Sequence, residues 1–265
     1  MSVWLALAIL YVATASVMGL LDLWRRRSGN AGVVDVGWSF GLVGAGLWLA
    51  AVADGDPYRR ALTAALAAVW GLRLGVYLLG DRVLGSAEED GRYRMLREKW
   101  GDRADRNFTI FFQVQAAWVV LFALPWVAAM YNPRPLWAWH DGLAVAVWLT
   151  AVGGESLADR QLARFRRRPD SHGRTCREGL WRYSRHPNYF FEWVHWFTYP
   201  LLAVGSGFWW LSLLGPVVML VFLYKLTGIA YTEKRALASR GDDYRRYQQT
   251  TSAFVPWPPR KEPHT

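Results

Sequence analysis

Long apolar stretches alternate with short charged blocks along the whole chain. A helix needs about 20 predominantly apolar residues to cross the roughly 30 Å hydrocarbon core of a bilayer. Seven stretches qualify: residues 3–23, 33–53, 61–80, 110–131, 137–157, 188–205 and 207–226. The pattern predicts an all-α integral membrane bundle of about seven transmembrane helices, forming a single domain over residues 1–265. Only Gly205-Ser206-Gly207 separates the last two stretches, which predicts a tight helical hairpin. Pro200 and Pro216 lie within that pair and predict kinks. The tail Val255-Pro256-Trp257-Pro258-Pro259 cannot be helical, because its prolines lack donors and clash with a preceding turn. It is expected to end the fold as an extended arm.

The charged blocks set an orientation. Arg25-Arg26-Arg27 follow the first stretch, a basic segment from Arg82 to Arg106 follows the third, and nine arginines lie between Arg160 and Arg185 after the fifth. The alternate connections are nearly bare: residues 54–60, 131–136 and 205–207. The positive-inside rule then places the N-terminus outside and the C-terminus in the cytoplasm, in an inner (plasma) membrane. A net charge of +10 in another setting suggests nucleic acid, but the apolar stretches leave no soluble face to carry a basic patch. The 17 tryptophans suit interfacial belts. The single Cys176 excludes an internal disulfide and a cysteine metal cluster, and the five histidines show no ligand spacing, so no metal is expected. The first stretch has neither a basic n-region nor a small-residue cleavage site, which argues against a cleaved signal peptide.

Polar residues inside apolar stretches are costly and point to function by default. Asp35 opens the second stretch and Arg73 lies well inside the third. Gln113 and Gln115 open the fourth, Glu155 and Asp159 sit one turn apart at the end of the fifth, and Glu192 follows Asn188 by four residues. Asp35 and Arg73 could pair with each other or snorkel to the headgroups. Taken together, the set describes a polar pocket opening on one membrane face.

The segment from Asp159 to Trp193 is the densest. Its arginines could be a topology signal alone, or could grip a ligand with several phosphates, since a guanidinium fork matches phosphate bidentately. Asn188 and Glu192 share a helix face at i and i+4 and could read a carboxamide or a ribose. His186 precedes Pro187, which biases it to extended backbone and makes Pro187 a good first helical residue. No G-x-G-x-x-G, Walker loop or H-E-x-x-H is present, so any dinucleotide is bound without a Rossmann domain.

At Ser184-Arg185-His186-Pro187-Asn188-Tyr189 the chain resembles the steroid 5-alpha-reductase-like membrane family, in a bacterial branch long catalogued as a domain of unknown function. The resemblance also rests on residues 28–38, Glu89-Asp90-Gly91-Arg92-Tyr93, Glu155-Ser156-Leu157-Ala158-Asp159, Thr232-Glu233-Lys234-Arg235 and Asp243-Tyr244. It implies a seven-helix bundle with NADPH among the later helices, and an apolar lipid or steroid-like substrate entering from the bilayer. The implied cofactor-binding residues are Asp159, Arg166, Arg174, Arg185, His186, Asn188, Glu192, Glu233 and Tyr244. The implied catalytic residues are Asp35, standing for an acid on the second helix, and Arg73. The family's reductases pair that acid with a tyrosine on the third helix. Aligned on Arg73, that position holds Trp70, whose indole donates a hydrogen bond but lends no proton; Tyr77 lies two turns further on.

The expected activity is NADPH-dependent reduction of a C=C bond conjugated to a carbonyl, with a buried, protonated Asp35 donating to the carbonyl oxygen. The wider superfamily also holds isoprenylcysteine-type methyltransferases. An S-adenosylmethionine-dependent membrane methyltransferase is therefore the alternative, with Asn188 and the arginine-rich loop as the discriminating features. A non-enzymatic lipid-binding or structural protein is a further reading, opposed by the polar groups within the apolar stretches.

Overall fold

A computed structural model describes residues 1–85, 89–226 and 228–260. Among these residues the regular structure is entirely helical. The chain divides into two compact units, interleaved in sequence: Met1–Ala138 with Leu202–Leu214, and Trp139–Leu201 with Gly215–Thr265. Five helical stretches are long and apolar enough to cross a membrane: Val3–Ser28, Val33–Val52, Pro57–Leu84, Gly91–Met130 and Trp209–Arg240. The chain is a multi-pass membrane protein.

The first unit is built from α1 (Val3–Ser28), α2 (Val33–Val52), α3 (Pro57–Leu79), the short α4 (Gly91–Trp100) and α5 (Ala104–Met130). Local chemistry sets the boundaries. Gly29 ends α1 in the left-handed conformation at φ 75°, with Arg25, Arg26 and Arg27 in the last turn, where the helix dipole favours cations. Asp56 caps α3 by accepting from the Arg59 N–H, and Pro57 occupies the first helical position. Asp90 caps α4 in the same way. Around α5, the side chains of Trp70, Trp126, Phe108, Phe112 and Phe122 are almost wholly buried. Large apolar residues such as Trp4, Val12, Leu20 and Val76 are exposed, as lipid-facing positions must be.

Two charge networks hold this unit. Asp22, buried on α1, accepts from Arg25 (2.7 Å) and from Thr109 on α5 (2.7 Å), while Arg25 reaches Asp105 at 2.8 Å. Arg59 belongs to the stretch 54–60 that reads in sequence as an exposed connection, yet it is fully buried. Its guanidinium donates to the carbonyls of Leu202 (2.7 Å), Pro135 (3.1 Å) and Arg134 (3.2 Å), gathering three chain segments on one fork.

The second unit contains α6 (Trp139–Arg166), α7 (Pro187–His195), most of α8 (Thr198–Leu202), most of α10 (Leu214–Val221), α11 (Ile229–Arg240) and α12 (Asp242–Thr250); α9 (Trp209–Ser212) belongs to the first unit. The expected spans 137–157 and 188–205 are not among the five apolar stretches. His140, Asp141 and Glu155 dilute the first of them. The second breaks at Trp196-Phe197, and the following pair of short helices, α9 and α10, breaks at Leu213. Each break falls next to the carbonyl four residues before a proline, at Trp196 for Pro200 and Ser212 for Pro216, where the ring blocks the helical hydrogen bond. The C-terminal arm is non-helical, as its prolines require, and Trp257 N–H donates to the Tyr183 carbonyl at 2.9 Å.

Arg59→Leu is expected to cost about 2–4 kcal/mol, because three carbonyls, that of Leu202 buried, lose their donor at once. Arg27→Leu, at an exposed arginine, is expected to stay within about 0.5 kcal/mol. Thermal unfolding in detergent checks both; equal losses would show that burial of Arg59 carries no special weight.

Candidate functional site

In the first unit the polar residues converge on Asp35. Its carboxylate accepts from the Tyr93 hydroxyl at 2.7 Å and from Arg92 at 2.9 Å, with Arg82 at 4.0 Å. The Asp90 cap aligns α4 so that Arg92 and Tyr93 reach back to α2, and Arg82 pairs with Asp90. Glu89 extends the cluster by binding Arg97 at 2.7 Å and accepting from the Ala31 N–H at 2.9 Å. Asp35 therefore acts as an acceptor on both oxygens. Arg73 lies half-buried on α3, Trp70 is fully buried, and Tyr77 is 63% exposed. The tyrosine that meets the acid is Tyr93, which the sequence reading quoted within a motif but gave no role. Its contact joins residues 58 positions apart, and no helical spacing signals it.

In the second unit the segment 179–186 is sewn to its neighbours. The Tyr247 hydroxyl donates to the carbonyls of Trp181 and Ser184 (3.1 Å to the latter). Ser184 Oγ donates to the Phe254 carbonyl at 2.7 Å, and Arg185 N–H to the Ser252 carbonyl at 2.8 Å. Gly179 has φ +57°, and a Cβ there would stand 2.3 Å from Gln161, whose Oε1 accepts from the Leu180 N–H. His186 has an extended φ of −138° but a ψ of 58°, so the extended backbone expected before the proline is met only in part; Pro187 starts α7, and the imidazole stacks on Tyr189.

Arg185 is the hub. It donates to Glu233 at 2.6 Å and to the carbonyls of Gln248 (3.0 Å) and Thr251 (2.8 Å). Glu233 lies on α11, beyond the apolar run, on a helix whose Lys234, Arg235 and Arg240 place it outside the membrane-spanning part. Burial pushes its carboxyl up, but hydrogen bonds from His186 and Arg185, the Arg185 charge and Gln248 outweigh that and hold it at about 2. Burial, followed by the charge of Glu233, raises the Tyr244 hydroxyl above its ordinary range.

Around this hub lies a cavity of about 420 Å³, whose wall includes Arg166, Arg185, His186, Asn188 and Tyr244, together with Arg235 and Arg240. A second cavity of about 300 Å³ adjoins it, and the two share Leu162, Arg166, Cys176, Ser239 and Arg240. Arg174 lines the second cavity and is otherwise exposed, paired with Asp170. Asp159 stands behind the wall, accepting from Asn188 at 3.2 Å. Glu192 is not part of either wall; it accepts from Trp196 at 3.0 Å. Among the described residues Arg166, Arg235 and Arg240 have no carboxylate partner, whereas Glu233 neutralises Arg185. The cavity therefore carries an excess of cationic charge suited to an anion. Among the described residues no group of acidic, histidine or cysteine side chains could hold a metal.

Sequence reasoning missed Arg235 and Arg240. The signal was present: Thr232, Arg235, Ala236, Ser239 and Arg240 recur at i, i+3, i+4, i+7 and i+8, and all five line the cavity.

The depressed Glu233 carboxyl fixes a pH dependence. Its contribution to stability is complete above the ordinary value of 4.5 and is lost as pH falls through about 2. The difference in thermal stability between the wild type and Glu233→Gln is expected to shrink toward zero across that window and to be flat above it. A difference that persists unchanged to pH 2 would contradict this assignment.

Comparison with known proteins gives one match. Nothing among curated proteins or solved structures matches the chain. A family described as a protein of unknown function, DUF1295, matches residues 22–251, which takes in both polar clusters, and the chain belongs to that family.

Proposed function

We propose that this protein is an NADPH-dependent membrane oxidoreductase that reduces a C=C bond conjugated to a carbonyl in a steroid-like or other apolar lipid. The observation that carries the reading is the pair of adjoining cavities whose shared wall holds Arg166 and Arg240 without carboxylate partners. A ligand that fits has an anionic centre and a body on each side, as a phosphorylated dinucleotide does. S-adenosylmethionine carries a cationic sulfonium and no phosphate, so three unneutralised guanidiniums would repel it. Kinship with steroid 5-alpha-reductase-like enzymes, seven spans and an outside N-terminus belong to the same proposal, supported by the motifs and by the alternation of basic and bare loops.

In this reading Arg166, Arg235 and Arg240 hold phosphate oxygens, Asn188 is oriented by Asp159 toward the cavity, and the Arg185–Glu233 pair fixes the wall. NADPH supplies the hydride when bound. Asp35 acts by holding Arg92 and Tyr93 in place: the Arg92 charge stabilises the negative charge that develops on the substrate oxygen, while Tyr93, its single hydroxyl hydrogen given to Asp35, fixes the carboxylate. Hydride addition at the β-carbon leaves the substrate as an enolate, and its α-carbon becomes saturated by taking a proton that comes ultimately from solvent.

Titrated against the purified protein in mild detergent, NADPH is expected to raise the thermal midpoint more than NADH does, and S-adenosylmethionine to leave it unchanged. Arg240→Ala or Arg166→Ala is expected to weaken NADPH roughly 10- to 100-fold, the worth of one charge-assisted contact. Protection by S-adenosylmethionine alone would replace the reductase with a methyltransferase. Tyr93→Phe and Asp35→Asn are expected to lower turnover on an enone by at least about 100-fold while NADPH protection persists. Full turnover in both would remove the Asp35 cluster from the reaction.

A further inference from the structure

The first unit contains a second feature with a different chemistry. Helices α1 and α2 touch near one end, where a Cβ on Gly37 would stand 2.2 Å from Leu21 Cδ1. Toward the other end, Trp48 Nε1 donates to the Ala6 carbonyl at 3.0 Å. Between these two ties lies a cavity of about 610 Å³, lined only by the two helices, from Ile9 to Leu21 on α1 and from Val33 to Trp48 on α2. No charged side chain lines it. Its one hydroxyl, Thr14, already donates to the Leu10 and Tyr11 carbonyls. A water there would find only the Thr14 oxygen as an acceptor, short of the two to four polar partners it needs. A Cβ on Gly44, midway along α2, would meet nothing within 4 Å.

We propose that this groove binds one acyl chain of a membrane phospholipid. Three observations commit the site to that occupant. Both walls belong to apolar helices long enough to span a bilayer, so its surroundings are hydrocarbon. Its length, twelve residue steps of α1 at 1.5 Å, is about 18 Å, close to the ~15 Å of one leaflet's hydrocarbon layer. Its wall offers dispersion contacts and nothing to recognise a polar atom. The site is also separate from the Asp35 cluster. The lining positions of α2 recur at three- and four-residue steps, and Asp35 is not among them. The chain lodged there fills the space between two helices tied toward either end, and so stabilises α1 against α2.

The test uses the full protein, delipidated in mild detergent and titrated with phosphatidylglycerol under native mass spectrometry. The wild type is expected to retain one phospholipid per chain and to gain thermal stability with it. Gly44→Phe, which fills the groove from α2, is expected to weaken retention at least tenfold. Ala13→Phe fills it from α1 and serves as the second variant, and the thermal midpoint of each variant without lipid shows that the fold survives. Equal retention by the wild type and both variants, or no retention by the wild type, overturns the proposal. Displacement of the phospholipid by a 4-ene-3-ketosteroid also overturns it, by assigning the groove to substrate. NADPH protection measured in the same variants keeps this outcome distinct from that of the reductase proposal.

Discussion

A charge in a helical bundle surrounded by lipid has to be neutralised by the protein itself, because water is not at hand to do it. That constraint organises the first unit. Asp22 is buried on α1 and is matched by Arg25 and Thr109. Arg59 is fully buried and spends its fork on backbone carbonyls. Asp35 is flanked by Arg92 and Tyr93, and Arg185 by Glu233. The cavity wall of the second unit is under a different rule, since Arg166 and Arg235 are exposed and Arg240 half-buried, so their charge needs no partner from the protein and is open to an anionic ligand.

The same constraint links architecture to chemistry. The 179–186 segment has no regular structure long enough to position itself. Tyr247, Ser184 and the Arg185 hub hold it, through bonds to α12 and to the C-terminal arm. Its rigidity is therefore borrowed from α11, α12 and the arm, and residues far apart in sequence hold the cavity wall in shape. The prolines that interrupt the later helices shorten the elements there and turn an apolar run into several short helices. Non-helical backbone is tolerated where neighbouring protein re-satisfies its polar groups.

Asp35 shows how a neighbour redefines a residue. Placed against a guanidinium and a phenol, it becomes the acceptor that orders two donors. The apolar groove between α1 and α2 is the opposite case, a surface with no polar demand, whose only partner in a bilayer is hydrocarbon.

Apolar periodicity and charge blocks along the chain were enough to determine an all-helical, multi-pass membrane protein, the starts of α2 and α7 and the non-helical arm. Hydrophobic run length and proline stereochemistry are local properties, so they are legible residue by residue. Most of the expected cofactor residues, Arg166, Arg185, His186, Asn188 and Tyr244, do line one cavity. The number of long apolar helices was legible only in part: Pro200 and Pro216 signalled the interruptions near the end of the chain, but His140, Asp141 and Glu155 take the stretch 137–157 out of the set although its helix is unbroken. Only the tertiary structure showed that Tyr93 meets Asp35, that Arg59 is buried, that Glu192 turns away to Trp196, and that Arg235 and Arg240 complete the cationic wall. Each of these is a choice of partner across a long sequence separation, and partner choice is settled by packing and charge balance in three dimensions, not by spacing along the chain.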